Sequence, residues 1–194
     1  MQRRIGLTGG IASGKSSVGR LLEARGWPVL DADHYARDAL APNTAASQAV
    51  AKRFGATIGS AADLDRKSLG RIVFRDAEER RWLETLVHPH VRDRFQQELE
   101  RHSQAPVVVL MIPLLFETGL ETLCSEVWLV DCEPHQQLER LMLRSGLNEA
   151  DAQARLAAQW PLSRKRPLAD RVIDNRGSAD ALEAAVNRCD PPSL

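Results

Sequence analysis

The chain reads as an α/β protein built on a parallel sheet flanked by helices, and three observations predict it. A short apolar run, Arg4 to Thr8, leads directly into a glycine-rich stretch and then into a helical pattern. A continuous β-branched run, Val107-Val108-Val109-Leu110-Met111-Ile112, has the make-up of a central strand buried on both faces. Further strand-like and helical segments alternate toward the carboxyl end, which is the order that builds parallel sheets.

The first strand opens onto the most informative stretch. Gly9 to Ser16 fits G-x-x-x-x-G-K-[ST], with Gly9, Gly14, Lys15 and Ser16 in the required places. Glycines let the backbone turn with positive φ and bring successive N–H groups against phosphate oxygens. Lys15 can reach the β- and γ-phosphates, and the Ser16 hydroxyl can ligate Mg²⁺. A helix over about 15–25, with Val18, Leu21 and Leu22 at helical spacing, would aim its positive dipole end at the same anion. Strand, loop and helix together predict a P-loop fold with a nucleoside-triphosphate site.

A second short strand, Trp27-Pro28-Val29-Leu30, follows Gly26 as the predicted helix C-cap and ends in Asp31-Ala32-Asp33. Acids at the carboxyl end of a strand in an open α/β sheet sit where ligands bind. Asp33 could take a proton from an attacking hydroxyl. Asp31, expected on the same side of an extended segment, could hold Mg²⁺ through water. The alternative for Asp33 is capping of the helix that begins at His34.

From 34 to 103 no strand is expected and helical periodicity dominates. Helices are predicted over about 34–40, 44–54, 65–74, 76–87 and 89–101, with Asn43, Asp65 and Asp76 as N-caps or first-turn acids and Pro89 at a helix start. A parallel crossover needs only one helix, so a helical subdomain is inserted here. His88, between two predicted helices, reads as either a structural histidine or a site residue.

The β-branched strand runs into Pro113-Leu114-Leu115-Phe116-Glu117, either a ligand-lining loop or an apolar cover on the core. Glu126 to Asp131 is another strand, followed by helices over about 134–144 and 149–159. Arg140 and Arg144 share one face of the first, with Arg164, Lys165 and Arg166 beyond the second. A closing arginine stabilises a transferring phosphoryl group, whereas a solvated charged face is the ordinary meaning of such spacing. Arg171-Val172-Ile173-Asp174 is the last strand, turning through Asn175 into a helix at about 178–188, and Asp190-Pro191-Pro192 reads as a frayed tail.

The 194 residues suit one compact domain with a sizeable insertion: 1–33 and 104–194 as the nucleotide-binding core, a lid at about 134–168, and 34–103 as the helical insertion. The chain is 43% hydrophobic and 27% charged, enough to bury a real core. Lys plus Arg equals Asp plus Glu at 26 each, so no global pull toward nucleic acid or membrane is implied. Cys124, Cys132 and Cys189 show no metal-binding spacing and predict free thiols in a reducing compartment. A first strand entered at once leaves no room for a signal peptide, and no apolar run nears the roughly 18 residues of a membrane span. A soluble cytoplasmic protein is expected.

Taken together, the motifs resemble the dephospho-CoA kinase family, from Ile5 to about Val186. The matching pieces are L-T-G-G-I-x-S-G-K-S from Leu7, D-A-D from Asp31, H-P at His88, P-L-L-x-E from Pro113, Q-x-x-R-x-x-x-R from Gln137, and A-D-x-V-I-x-N-x-G from Ala169. The resemblance implies Mg²⁺-assisted phosphorylation of the ribose 3′-hydroxyl of dephospho-CoA by ATP, the last step of coenzyme A biosynthesis. By the same implication Asp33 is the base, Lys15 with Gly10, Ala12, Ser13, Gly14, Ser16 and Ser17 binds ATP, and Asn175 lies by the adenine. Thr8, His88, Leu114 and Glu117 line the acceptor site, the insertion holds the CoA moiety, and Arg140 and Arg144 belong to a lid. No nucleic acid, membrane or obligate protein partner is implied.

Two departures stand out. The family commonly has Gly at Ala12 and Thr at Ser17, so Ala12 is expected to need no positive φ. Trp160-Pro161-Leu162-Ser163 replaces a more polar stretch, which leaves open which base at 164–166 faces ATP. Two rivals are a kinase of another small acceptor on the same fold, and a GTPase-like switch, for which the N-K-x-D guanine-reading segment is absent.

Overall fold

The computed structural model describes residues 2–190. Five parallel strands form the sheet: β1 (Arg3–Gly9), β2 (Val29–Asp31), β5 (Val107–Met111), β6 (Glu126–Asp131) and β7 (Arg171–Asp174), in the order β2-β5-β1-β6-β7. The central strand β1 pairs with β5 at Ile5↔Val109 and with β6 at Leu7↔Trp128. The strand order reverses on either side of β1, so the loop after it lies where parallel sheets bind ligands.

Helix α1 (Lys15–Glu23) buries Val18 and Leu22 against Ile5, Leu7, Val109 and Trp128. The last helix, α9 (Ala179–Cys189), closes that core with Leu182, Ala185 and Val186. Between β6 and β7 lie α6 (Pro134–Ser145), α7 (Glu149–Ala157) and a short α8 (Leu162–Lys165) that the periodicity did not foretell. Asp190 is anchored rather than frayed, accepting hydrogen bonds from Arg3 and Arg25; Pro191 and Pro192 lie outside the described residues.

The chain divides into two compact units, one running to Asp31 and resuming at Leu99, the other Ala32–Glu98. The second holds α2 (Ala32–Ala39), α3 (Ala45–Phe54), α4 (Arg66–Arg75) and most of α5 (Ala77–Arg101), around a core of Val50, Ile58, Leu69 and Val73. It departs from the sequence expectation in three places. A small hairpin, β3 (Gly59–Ser60) and β4 (Asp63–Leu64), interrupts the helices. Thr44 is the N-cap of α3, accepting from the Ser47 N–H at 3.1 Å, while Asn43 sits in the left-handed region at φ 61°.

Most consequential, the two helices expected on either side of His88 are one 25-residue helix with Pro89 inside it. Proline there removes a donor to the Thr85 carbonyl. Val87, Val91, Phe95 and Leu99, four apart, are all buried, and this stripe carries the helix across the proline. The acids beyond β2 were also misplaced in conformation: Asp31 ends the strand, but Asp33 is already in the first turn of α2. The same-side argument for an extended Asp31–Asp33 pair therefore fails.

Candidate functional site: the phosphate-binding loop

Gly14, at φ 106°, makes the turn into α1 in a conformation that favours glycine, and no side chain caps it. The first turn of α1 carries no acid, so its amides face the loop with their positive dipole end uncompensated. Lys15 is buried, its ammonium donating to the carbonyls of Gly9 and Gly10 at 3.0 and 2.8 Å. Ser16 is exposed, Ser17 half-buried, and Ser13 fully buried with a hydroxyl lacking a partner among the described residues.

Ala12 overturns the expectation for it: its φ is 58°, in the left-handed region. That conformation costs about 1–2 kcal/mol for a residue with a Cβ. Its neighbours are held from outside the loop. The Ile11 N–H donates to Gln159 Oε1 at 2.9 Å, Gln137 Nε2 donates to the Ile11 carbonyl at 2.7 Å, and Asn175 Nδ2 donates to the Ser13 carbonyl at 2.7 Å. Packing is tight enough that a Cβ at Gly10 would meet Gln137 Nε2 at 2.1 Å. A cavity of about 530 Å³ opens beside this corner, lined by Gly10, Cys132, Gln137, Trp160 and Arg166 among others.

The beginning of α6 is built into the same corner. Arg140 Nη2 donates to the Asn175 carbonyl at 3.0 Å, and Gln136 Nε2 to the Arg176 carbonyl at 3.0 Å. The other terminal nitrogen of Arg140, Nη1, is buried without a partner among the described residues. Arg144 is exposed one turn further on. The basic cluster beyond α7 splits up: Arg164 stacks on Trp160, 3.4 Å from the ring centroid, and Arg166 pairs with the buried Asp131 at 2.8 Å.

Lys165 is withdrawn from solvent altogether. Its ammonium pairs with Glu117 Oε1 at 2.8 Å and donates to the Pro113 carbonyl at 2.8 Å. Burial pulls its pKa down, and the contact with Glu117 works against that. Glu117 Oε1 also accepts the Trp160 N–H at 2.9 Å. Thr8, fully buried, donates its hydroxyl to the Pro113 carbonyl at 3.3 Å, and Leu114 is half-buried in the same loop. So Thr8, Leu114 and Glu117 do come together, in a loop closed on itself by Lys165.

In the second unit, His88 is half-buried in a groove of about 630 Å³ with Arg81, Glu84, Thr85, Pro89 and Arg92. Burial pushes its pKa below the usual histidine value; Glu84 raises it and Arg92 lowers it further.

A family profile described as dephospho-CoA kinase matches residues 3–181. The chain is 74% identical to the dephospho-CoA kinase of Parasynechococcus marenigrum (strain WH8102), over 97% of this chain and 96% of that one. It is 63% identical to that of Synechococcus sp. (strain CC9605), over 93% and 88%. The chain belongs to the dephospho-CoA kinase family. The dephospho-CoA kinase from Campylobacter jejuni has the same fold, with a TM-score of 0.70 at 27% identity and 97% and 96% of the two chains covered. A Thermus thermophilus protein reaches 0.80 at 40% identity, over 97% and 96%. A shikimate kinase from Acinetobacter baumannii shares the fold alone, at 0.51 and 20% identity over 97% and 92%.

For a member of the dephospho-CoA kinase family, the side chains that sequence reasoning passed over are instructive. Gln159 and Asp131 were read only as a helix end and a strand end, and Lys165 as one of the bases at 164–166 that could face ATP, whereas Gln159 and Asp131 are bonded across the fold and Lys165 is buried on Glu117. Gln137 was visible only as the first letter of Q-x-x-R; its position three before Arg140 on one helix face was the available signal.

Proposed function

We propose that this kinase transfers the γ-phosphoryl group of ATP to the ribose 3′-hydroxyl of dephospho-CoA, giving coenzyme A and ADP. The observation that carries the reading is 74% identity, nearly end to end, to a protein named dephospho-CoA kinase. The loop geometry supports it: an uncapped helix start, a lysine held at the loop by carbonyls, and Ala12 already in a left-handed turn.

Amides from Ala12 to Ser17 and the Lys15 ammonium hold the donor phosphates, with Gly10 giving the close approach. Asp33 accepts the proton of the 3′-hydroxyl as its oxygen attacks phosphorus and ADP departs. Arg140, with a nitrogen that has no partner among the described residues, or Arg144 neutralises charge on the moving group. Asn175 borders the adenine, and Thr8, His88, Leu114 and Glu117 shape the acceptor site, with 34–103 holding the CoA moiety and about 134–168 serving as the lid.

Mg²⁺ fits the hard oxygen donors present, the exposed Ser16 hydroxyl and the half-buried Asp31 carboxylate. Among the described residues no group of three His, Cys, Asp or Glu side chains encloses a metal, so phosphate and water would complete its shell. When bound, it neutralises charge on the β- and γ-phosphate oxygens. No helix among the described residues is long and apolar enough to cross a membrane, and the three cysteines are free thiols. Free thiols suit a reducing compartment, and on the family's substrates we read the protein as a cytoplasmic enzyme working on small molecules.

The test is ADP release from ATP and Mg²⁺ with dephospho-CoA, nucleoside monophosphates, pantetheine or water alone. Turnover confined to dephospho-CoA, with a new 3′-phosphate in the product, is expected. Turnover with a nucleoside monophosphate would keep the loop and sink the acceptor.

A further inference from the structure

We propose that Gln137 is a positioning residue for phosphoryl transfer, holding the loop in its phosphate-binding shape, with Gln159 as its counterpart. The inference rests on the reading of 12–17 as the ATP-phosphate cradle.

Ala12 sits at φ 58° in a loop where glycine would adopt that angle freely. A strained turn persists only where its surroundings over-determine it. Ile11, the residue before Ala12, is gripped through both of its backbone groups: its carbonyl accepts from Gln137 Nε2 at 2.7 Å, and its N–H donates to Gln159 Oε1 at 2.9 Å. The partners fix the chemistry, since a carbonyl demands a donor and an N–H demands an acceptor. Gln137 is itself only 7% exposed, so its amide has no easy alternative in water.

The grip is rigid because α6 is anchored at its start. Proline leads the helix, Gln136 bonds both Glu133 and Arg176, and Leu141 is fully buried. One turn after Gln137, Arg140 bonds the Asn175 carbonyl, and Asn175 bonds Ser13 beyond Ala12. One face of α6 thus pins the loop on both sides of its strained residue, directly at Ile11 and through Asn175 at Ser13. The helix end, with Leu143 90% exposed and Arg144 exposed, carries no such link to the loop among the described residues.

The experiment measures ATP affinity by calorimetry for wild type, Gln137→Leu, Gln137→Glu, Lys15→Ala, Ala12→Gly and the Ala12→Gly/Gln137→Leu double variant, with kcat at saturating ATP and the unliganded melting temperature. Gln137→Leu should weaken ATP about tenfold, the weight of one buried hydrogen bond, while kcat at saturation moves less. Gln137→Glu, of the same size, should fail likewise because it cannot donate to the Ile11 carbonyl, and it serves if the leucine variant does not fold. In the Ala12→Gly background the loss should shrink to about threefold or less, because glycine holds the turn without the grip. Wild-type affinity in both Gln137 variants, alongside a weakened Lys15→Ala, would overturn this inference alone. So would an undiminished loss in the glycine background. Lys15→Ala binding ATP as wild type does would overturn the reading of the loop instead.

Discussion

Lys165 and Glu117 form an ion pair of 2.8 Å in which the lysine side chain is wholly shielded from solvent. The pair spans 48 residues of chain and fastens the loop after β5 to the helix before β7. The same lysine holds the Pro113 carbonyl, and the same carboxylate oxygen holds the Trp160 N–H. Glu117 Oε2 is buried with no partner among the described residues, which leaves an acceptor in reserve beside Thr8 and Leu114.

Breaking that pair from one side should be costly. Lys165→Met leaves a charged carboxylate buried without its counter-ion, at about 3 kcal/mol or more. Lys165→Met combined with Glu117→Gln should regain a good part of the loss, since the stranded charge is gone. Urea unfolding of the single and double variants measures both; equal instability of the two would refute the pairing argument.

Asp33→Asn should keep the fold, since the residue is exposed in the first turn of α2. Loss of a general base typically lowers rate by about 10²–10⁴. The prediction is a fall in kcat of that size with ATP affinity nearly unchanged, read from steady-state kinetics and calorimetry. Near wild-type turnover would remove Asp33 from the base role.

His88 sets a pH dependence of stability. Its folded pKa lies below the ordinary 6.5 because burial disfavours the charged ring. The unfolded chain therefore binds the proton more readily, and the contribution of neutral His88 is complete above that value and declines as pH falls through the folded pKa. Melting temperatures of wild type and His88→Gln, compared from pH 7.5 down to pH 5 (about one and a half units below the ordinary value), should diverge least at the acid end. A constant difference across the range would count against it.

Cys124 should resist alkylation. Burial pushes its thiol up to about 12, aided by Glu121, so almost no thiolate exists near neutral pH. Burial raises Cys132 and Cys189 as well. Mass spectrometry after iodoacetamide treatment near neutral pH should find Cys124 unmodified in the native protein and modified after denaturation. Rapid native labelling would contradict the burial.

Some of this was legible because it is local. The strand–loop–helix at Thr8 to Val18, the parallel sheet and the cap at Asp65 follow from short-range spacing, and Asp65 does cap α4, accepting from Lys67 and Ser68. The single helix through Pro89 was not, because proline is a local stop signal while the stripe that overrides it draws its energy from packing.

By itself the sequence determined the sheet, its strand order along the chain, the phosphate loop and the family, all written in contiguous motifs and periodicities. Only tertiary structure decided that Ala12 is left-handed, that Lys165 is a buried counter-ion, and that Gln137, Gln159 and Asn175 grip the loop. Those contacts join residues far apart in the chain, Lys165 to Glu117 the nearest at 48 positions, Gln137 to Ile11 at 126, Gln159 to Ile11 at 148 and Asn175 to Ser13 the widest at 162. No spacing rule relates such positions, since hydrogen bonds and burial act across folded space rather than along the chain.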